Sequence, residues 1–358
     1  MRYPAFLRPG GRIGFVAPSF GCNIEPYRSA FQNALKKLEE KGYGTDLGPN
    51  CYAGEGIGIS NTPEKCGAEI NEYMLSDQND VLISCGGGEL MCEILDSVDF
   101  QAIAEGKPKW YMGYSDNTNL TFLLPTLCDT AAIYGPCAGA FGMEPWHSSI
   151  SDALALLAGE KLEMHSYPAW EKEGFKCEEN PLVPYNTTEP VRIRPFPAGL
   201  AKKGGPIVFR GRLLGGCLDC LVNLLGTKYD RVNQFCQKYA EDGIIWFLEA
   251  CDLNVFSIRR AIWQMKHAGW FEHVKGFLIG RPLCFGQKLI GLDQYHAVWD
   301  LLEEYQVPVL MDVDLGHLPP MMPLICGAPA RVCCSPAGDR AGQEGETGWE
   351  LAVSMKPE

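Results

Sequence analysis

Residues Lys109–Thr118, KWYMGYSDNT, constrain the fold of this chain more than any other stretch. An apolar run, Trp110-Tyr111-Met112, ends at Gly113, and Tyr114, Ser115 and Asp116 follow. The next residues, NTNLTFLLPTL, carry a helical pattern. The order strand, tight turn, helix lifts a serine hydroxyl off the end of a sheet. It also leaves the first amides of the helix free to face an anion. That is the logic of a nucleophile elbow, although G-Y-S-D departs from the usual G-x-S-x-G. A second reading is purely local: Ser115, Asp116 or Asn117 caps the helix.

The same alternation recurs along the first half. RIGFVAP (Arg12–Pro18) and DVLIS (Asp80–Ser84) read as buried strands, as does Ala131–Tyr134. Ile24–Lys41, Pro63–Leu75, Glu89–Val98 and Ile150–Gly159 read as helices between or after them, with Phe31, Ala34, Leu35 and Leu38 on one face of the first. Alternating strands and helices predict an α/β fold. The N-terminal domain, 1–160, is expected to be a flavodoxin-like parallel sheet with helices on both faces. Residues 161–200 are polar, proline-rich and aperiodic, and read as a linker or insertion. A C-terminal mixed α/β domain, 201–358, is expected to follow. GIIWFL (Gly243–Leu248), Val274–Ile279 and Val307–Asp312 are its buried strands, Leu218–Leu225, Phe256–His267 and Gln294–Tyr305 its helices, and ARVCC with WELAVS its closing hairpin.

The formal charge of −13 lacks the basic footprint that phosphate binding needs, so nucleic acid is an unexpected partner. No stretch approaches about 18 consecutive apolar residues, so no membrane span is expected. The start lacks the pattern of a signal peptide, which points to the cytoplasm. The 16 cysteines are scattered, several within apolar runs, and read as reduced, buried thiols. Cys217-x-x-Cys220 has metal or redox spacing but no second pair, so neither a metal nor another cofactor is expected.

A serine hydroxyl is a weak nucleophile and needs a base. Of the histidines, His317 sits just past a buried strand in a Gly/Pro-rich loop, and the others read as surface residues. A base needs an orienting partner. Glu249, at the end of GIIWFL, is the strongest candidate, because a carboxylate there is costly to bury unpaired. Asp252, Asp312 and Asp314 compete with it. Gly86-Gly87-Gly88 follows a buried strand and admits three readings: a phosphate cradle, a wall of an oxyanion hole, or a turn that needs glycine for sterics. Cys85 is a rival nucleophile. A non-catalytic module that binds a small anion is an alternative of another class.

Taken together, four segments make the chain resemble the LD-carboxypeptidases, over about Pro9 to Val332. They are the glycine run, GYSDNT, GRLLGGCLDCLVNLLGTKYD (Gly211–Asp230), and FLEACD with LIGRP and LGHLPPMMPLICG. The resemblance implies a serine peptidase that releases terminal D-alanine from murein tetrapeptides. It implies Ser115 as nucleophile, His317 and Glu249 as its partners, and an oxyanion hole from the N–H groups of Gly87 and Asp116. It also implies a site between the domains, a small peptide or muropeptide substrate and a homodimer. Two features depart from the common pattern: Cys85 and Glu89 flank the glycines, and an aromatic, acidic insertion lies around Trp170–Asn180. The insertion is similar to the microcin-C immunity branch, which cleaves an amide between an acidic residue and a modified nucleotide.

Overall fold

The structure is a computed structural model that describes residues 1–202, 205–337 and 348–357. Its first half runs β1 (Arg12–Val16), α1 (Tyr27–Glu40), β2 (Gly44–Leu47), α2 (Pro63–Leu75), β3 (Val81–Ser84), α3 (Phe100–Glu105), β4 (Trp110–Gly113), α4 (Thr118–Thr121), α5 (Leu123–Cys128), β5 (Ala132–Tyr134) and α6 (Ser148–Leu157). The five strands pair in parallel, in the order β2-β1-β3-β4-β5. Every residue of β3, β4 and β5 is buried, which is why these strands read as unbroken apolar runs. α1 buries Ala30, Phe31, Ala34 and Leu38, while Leu35 is half-buried at the edge of that face. Lys109, just before β4, donates through Nζ to the carbonyls of Tyr73 and Ser76 at the end of α2. A cation suits the carbonyl end of a helix, although burial pulls this ammonium down to about 8.

Three expectations need correction. Residues 89–98 do not form an α-helix; Met91–Ser97 is a 3-10 helix. Its buried residues Met91 and Ile94 are three apart, which matches the tighter period. The Met91 N–H is held by the Asp116 carboxylate at 2.9 Å, which ties this turn to the elbow. Residues 161–200, read as a linker, carry β6 (Glu163–His165), β7 (Ala169–Glu171), β8 (Thr187–Pro190) and β9 (Arg194–Phe196). These strands are three or four residues long and partly exposed, too short to show a period of two. His147 also departs from a surface reading: it is half-buried and its ring accepts from the Ser149 N–H as the cap of α6.

The chain continues through α7 (Ala198–Lys202), β10 (Ile207–Cys217), α8 (Leu218–Leu224), α9 (Val232–Lys238), β11 (Ile244–Glu249), α10 (Val255–His267), β12 (Val274–Gly280), the small β13 (Lys288–Leu289) and β14 (Leu292–Asp293), α11 (Gln294–Leu302), β15 (Val309–Val313), β16 (Leu324–Cys326), β17 (Pro329–Pro336) and β18 (Trp349–Met355). Among the described residues the second sheet has eight strands, in the order β6-β18-β17-β10-β11-β12-β15-β9. Its centre, β10-β11-β12-β15, is parallel, and β17 and β18 close it antiparallel. β16 leaves this half and pairs antiparallel with β5, completing the first sheet. The two sheets therefore share chain segments.

They also share a core. Phe122 stacks on Trp270 at 5.5 Å, and Trp270 on Trp246 at 5.9 Å, joining a helix of the first half to β11. Among the described residues no helix is long and apolar enough to cross a membrane.

Candidate active site

The segments after β1, β3, β4, β11 and β15, with Cys217 at the end of β10, meet around one pocket of about 750 Å³. β4 ends at Gly113, and Ser115 follows with φ +63°. A left-handed backbone is costly for a residue with a Cβ, and it projects the side chain out of the turn. The turn is braced from beneath by Asp116. Its buried carboxylate accepts from the Ser19 hydroxyl at 2.6 Å, the Met91 N–H at 2.9 Å and the Asn119 amide at 3.1 Å. Burial pushes the Asp116 carboxyl up to about 6 against these donors. The cap reading is not what the side chains do: neither Ser115 nor Asn117 caps the helix that follows.

Ser115 Oγ lies 2.9 Å from His317 Nε2, and His317 Nδ1 lies 2.9 Å from Glu249 Oε2. The three residues come from the turn after β4, the end of β11 and the loop after β15. Glu249 ends β11 and is 2% exposed. Burial pushes its carboxyl up, but the His317 charge and hydrogen bonds from His317, Tyr134 and Cys217 hold it below its ordinary value. Burial pulls the His317 ring down, and the Glu249 carboxylate overrides it, so the imidazole is held well above its ordinary value. The ring is flanked by Tyr114 at 5.2 Å.

The competing carboxylates are occupied elsewhere. Asp314 is fully buried, pairs with Arg281 at 2.7 Å and accepts the Tyr167 N–H at 2.8 Å. Asp312 accepts from Gln294 and from the Tyr295 hydroxyl. Asp252 is exposed. The Asp314–Arg281 pair fixes the start of the loop that carries His317. At Gly316, φ +100°, a Cβ would lie 2.7 Å from Glu249 Oε2, so the loop can approach the carboxylate only as glycine.

Gly87 faces the elbow: a Cβ there would lie 3.2 Å from Ser115 Oγ. Its carbonyl is fixed by the Phe20 N–H at 2.9 Å. Gly86, Gly87 and Gly88 all line the pocket with Ser115 and His317. Cys85 lines it too, but burial, beside the Cys22 and Cys51 thiols, pushes its own thiol far up. Cys220 leans on the Ser115 carbonyl at 3.6 Å. Among the described residues no group of three or more His, Cys, Asp or Glu side chains is placed to hold a metal ion.

Tyr134, which the sequence reading passed over, joins this constellation. It accepts the Ser115 N–H at 3.2 Å and donates to Glu249 Oε1 at 2.6 Å. Its signal was positional: a phenol ending a buried strand just before Gly135-Pro136, as Glu249 ends β11.

Comparison with known proteins gives the family. Residues 13–135 match the LD-carboxypeptidase N-terminal domain and residues 210–332 the C-terminal domain. A carboxypeptidase candidate of Vibrio cholerae is 24% identical over 90% of this chain and 92% of its own length. One of Streptomyces coelicolor is 25% identical over 92% of each. Among solved structures, the microcin C7 self immunity protein MccF in complex with aspartyl sulfamoyl adenosine has a TM-score of 0.77 at 21% identity, covering 99% of both chains. An MccF-like protein of Bacillus anthracis has a TM-score of 0.78 at 20% identity, over 99% of this chain and 100% of its own. The chain belongs to the LD-carboxypeptidase family of serine peptidases.

Proposed function

We propose that Ser115 is the nucleophile of this peptidase, His317 its general base and Glu249 the orienting acid. The hydrogen-bonded chain Ser115–His317–Glu249, 2.9 Å at each link, carries the reading. His317 Nε2 takes the hydroxyl proton as Oγ attacks the scissile carbonyl. The backbone N–H groups of Asp116 and Gly87 face the developing oxyanion. Collapse expels the amine, which takes the proton back from His317 and leaves an ester on Ser115. Water, deprotonated by the same ring, then hydrolyses the ester and restores the serine. Glu249 holds the imidazolium through both steps without taking its proton.

The preferred substrate is a murein tetrapeptide, from which the enzyme releases terminal D-alanine as an L,D-carboxypeptidase in cell-wall peptide recycling. The family match supports this reading. A second reading is hydrolysis of the amide between an amino acid and a modified nucleotide. The full-length likeness to MccF, one of whose structures holds aspartyl sulfamoyl adenosine, supports it. Cytoplasmic action and a homodimer remain part of the proposal.

Mass spectrometry of both substrates with wild type and Ser115→Ala tests these readings. Serine-dependent loss of D-alanine establishes the first, and serine-dependent release of aspartate alone establishes the second. Ser115→Ala should lose about four orders of magnitude or more in kcat. Turnover undiminished in that variant overturns the assignment.

A further inference from the structure

The Ser115–His317–Glu249 chain leaves one buried group at its centre without a role. Tyr134 is fully buried at the end of β5. Its hydroxyl has two partners, from different halves of the chain: the backbone N–H of Ser115 and the second carboxylate oxygen of Glu249. The ring is fixed by Phe247 of β11 at 5.5 Å and by Tyr114 at 6.4 Å. The backbone of Tyr134 is paired with Gly113, the last residue of β4, and with Leu324 of β16, downstream of His317. One residue is therefore tied to the strands that bring in the serine and the acid, and to the strand that follows the histidine's loop.

We propose that Tyr134 is a positioning residue of the reaction: its phenol clamps the elbow to the acid and sets how strongly Glu249 holds His317. Three consequences follow from the geometry. The phenol occupies Glu249 Oε1, so the carboxylate presents only Oε2 to the imidazole, which fixes the ring and its tautomer. It also shares the negative charge of a buried carboxylate that has few other donors. Finally, it takes up the Ser115 N–H, so the oxyanion donors must come from the next residue, Asp116, and from the glycine run rather than from Ser115 itself. Burial and the Glu249 charge keep the phenol protonated far above its ordinary range, so it donates at any working pH.

The inference rests on the proposed roles of Ser115, His317 and Glu249. Its test is chosen so that the two can fail separately. Among the described residues, the titratable groups facing the His317–Glu249 pair are Tyr134 on β5, Tyr114 after β4, Cys217 ending β10, Cys220 on α8 and Cys251 after β11. The full-length protein, labelled with nitrogen-15 histidine, is titrated by NMR as wild type, Tyr134→Phe and Glu249→Gln. Without the phenol, the Glu249 charge falls more fully on His317. The His317 titration should then move to higher pH in Tyr134→Phe and to lower pH in Glu249→Gln. With either amide substrate that wild type turns over, Tyr134→Phe should lower kcat about ten- to a hundredfold with KM little changed, and carry the acid limb of the rate profile upward with it.

An unmoved His317 titration in folded Tyr134→Phe overturns the proposal, whatever the enzyme's activity. So does a moved titration with unchanged kcat in an enzyme whose turnover depends on Ser115. Serine-independent turnover sinks the catalytic roles instead, and with them the reaction this clamp is meant to serve. Should Tyr134→Phe fail to fold, 3-fluorotyrosine incorporated at position 134 alone changes the shape little and makes that phenol a stronger donor. His317 must then titrate at lower pH, and an unchanged or higher value overturns the proposal.

Discussion

Gly87 decides how closely the glycine run can approach the serine. A methyl group there would stand 3.1 Å from Ser115 Cβ and 3.2 Å from Oγ, so the hydroxyl must shift by a few tenths of an ångström. That shift weakens the contact with His317 and, in the proposed mechanism, moves a backbone donor to the oxyanion. Gly87→Ala should therefore reduce kcat by about ten- to a hundredfold while leaving KM and the denaturation midpoint nearly unchanged, as steady-state kinetics and urea titration would reveal. Histidine protonation is the second property decided at single residues. In the proposed mechanism the neutral ring is the base, and Glu249 holds its pKa up. The ring then stays protonated to higher pH than an ordinary histidine, and kcat/KM falls as pH drops through that raised value. The acid limb should have its midpoint above 6.5, the ordinary histidine value, and Glu249→Gln should bring it down. A wild-type midpoint below 6.5 contradicts the coupling seen between the two side chains.

At the scale of elements, the loop after β15 depends on a buried ion pair. Arg281, at the end of β12, donates to the Asp312 carbonyl at 2.9 Å and to Asp314 Oδ1 at 2.7 Å. The Met322 N–H closes the same loop on the Asp314 carbonyl at 2.7 Å. His317 hangs between these anchors. Removing one partner strands a charge where water cannot reach it. Arg281→Met should cost about 3–5 kcal/mol in urea denaturation and should lower activity further by freeing His317. Arg281→Met combined with Asp314→Leu should recover part of the stability without restoring the rate. A double variant no more stable than Arg281→Met would show that the charge is not the cause.

Across the whole molecule, the pocket is built from both sheets and, the His317 ring aside, its charged groups are of one sign. Glu89, Asp116, Asp219 and Asp252 line it, and no lysine or arginine does among the described residues. Asp219 also holds the N–H groups of Cys251 and Asp252 at 3.0 and 2.9 Å, which fixes the turn after Glu249. A cleft of one sign attracts the opposite charge. Substrates with a free ammonium near the scissile bond should have a higher kcat/KM than their N-acetylated forms. That advantage should shrink when salt is raised from about 20 mM to about 500 mM, because screening shortens the reach of the carboxylates. An advantage that does not change with salt would place its origin in a direct contact instead.

The chain dictated its own local structure wherever burial on both faces left no choice. VLIS, WYMG and IIWFLE are strands because an unbroken apolar run of that length packs only inside a sheet. The turns at Ser115, Gly87 and His317 were legible for the same reason, since polar or flexible residues just after such runs mark the ends of strands. The short strands of 161–200 were not legible, because three half-exposed residues carry no period. Nor was the crossing of β16 into the first sheet, because Leu324–Cys326 is equally apolar against either one. Which carboxylate serves the histidine was likewise a tertiary matter. Glu249, Asp312 and Asp314 all stand at strand ends, and only packing gives Asp314 to Arg281 and Glu249 to His317. Tyr134 shows the limit most plainly: its role lies in joining a serine amide to a carboxylate 115 residues away, and a separation of that kind leaves no mark on the neighbouring sequence.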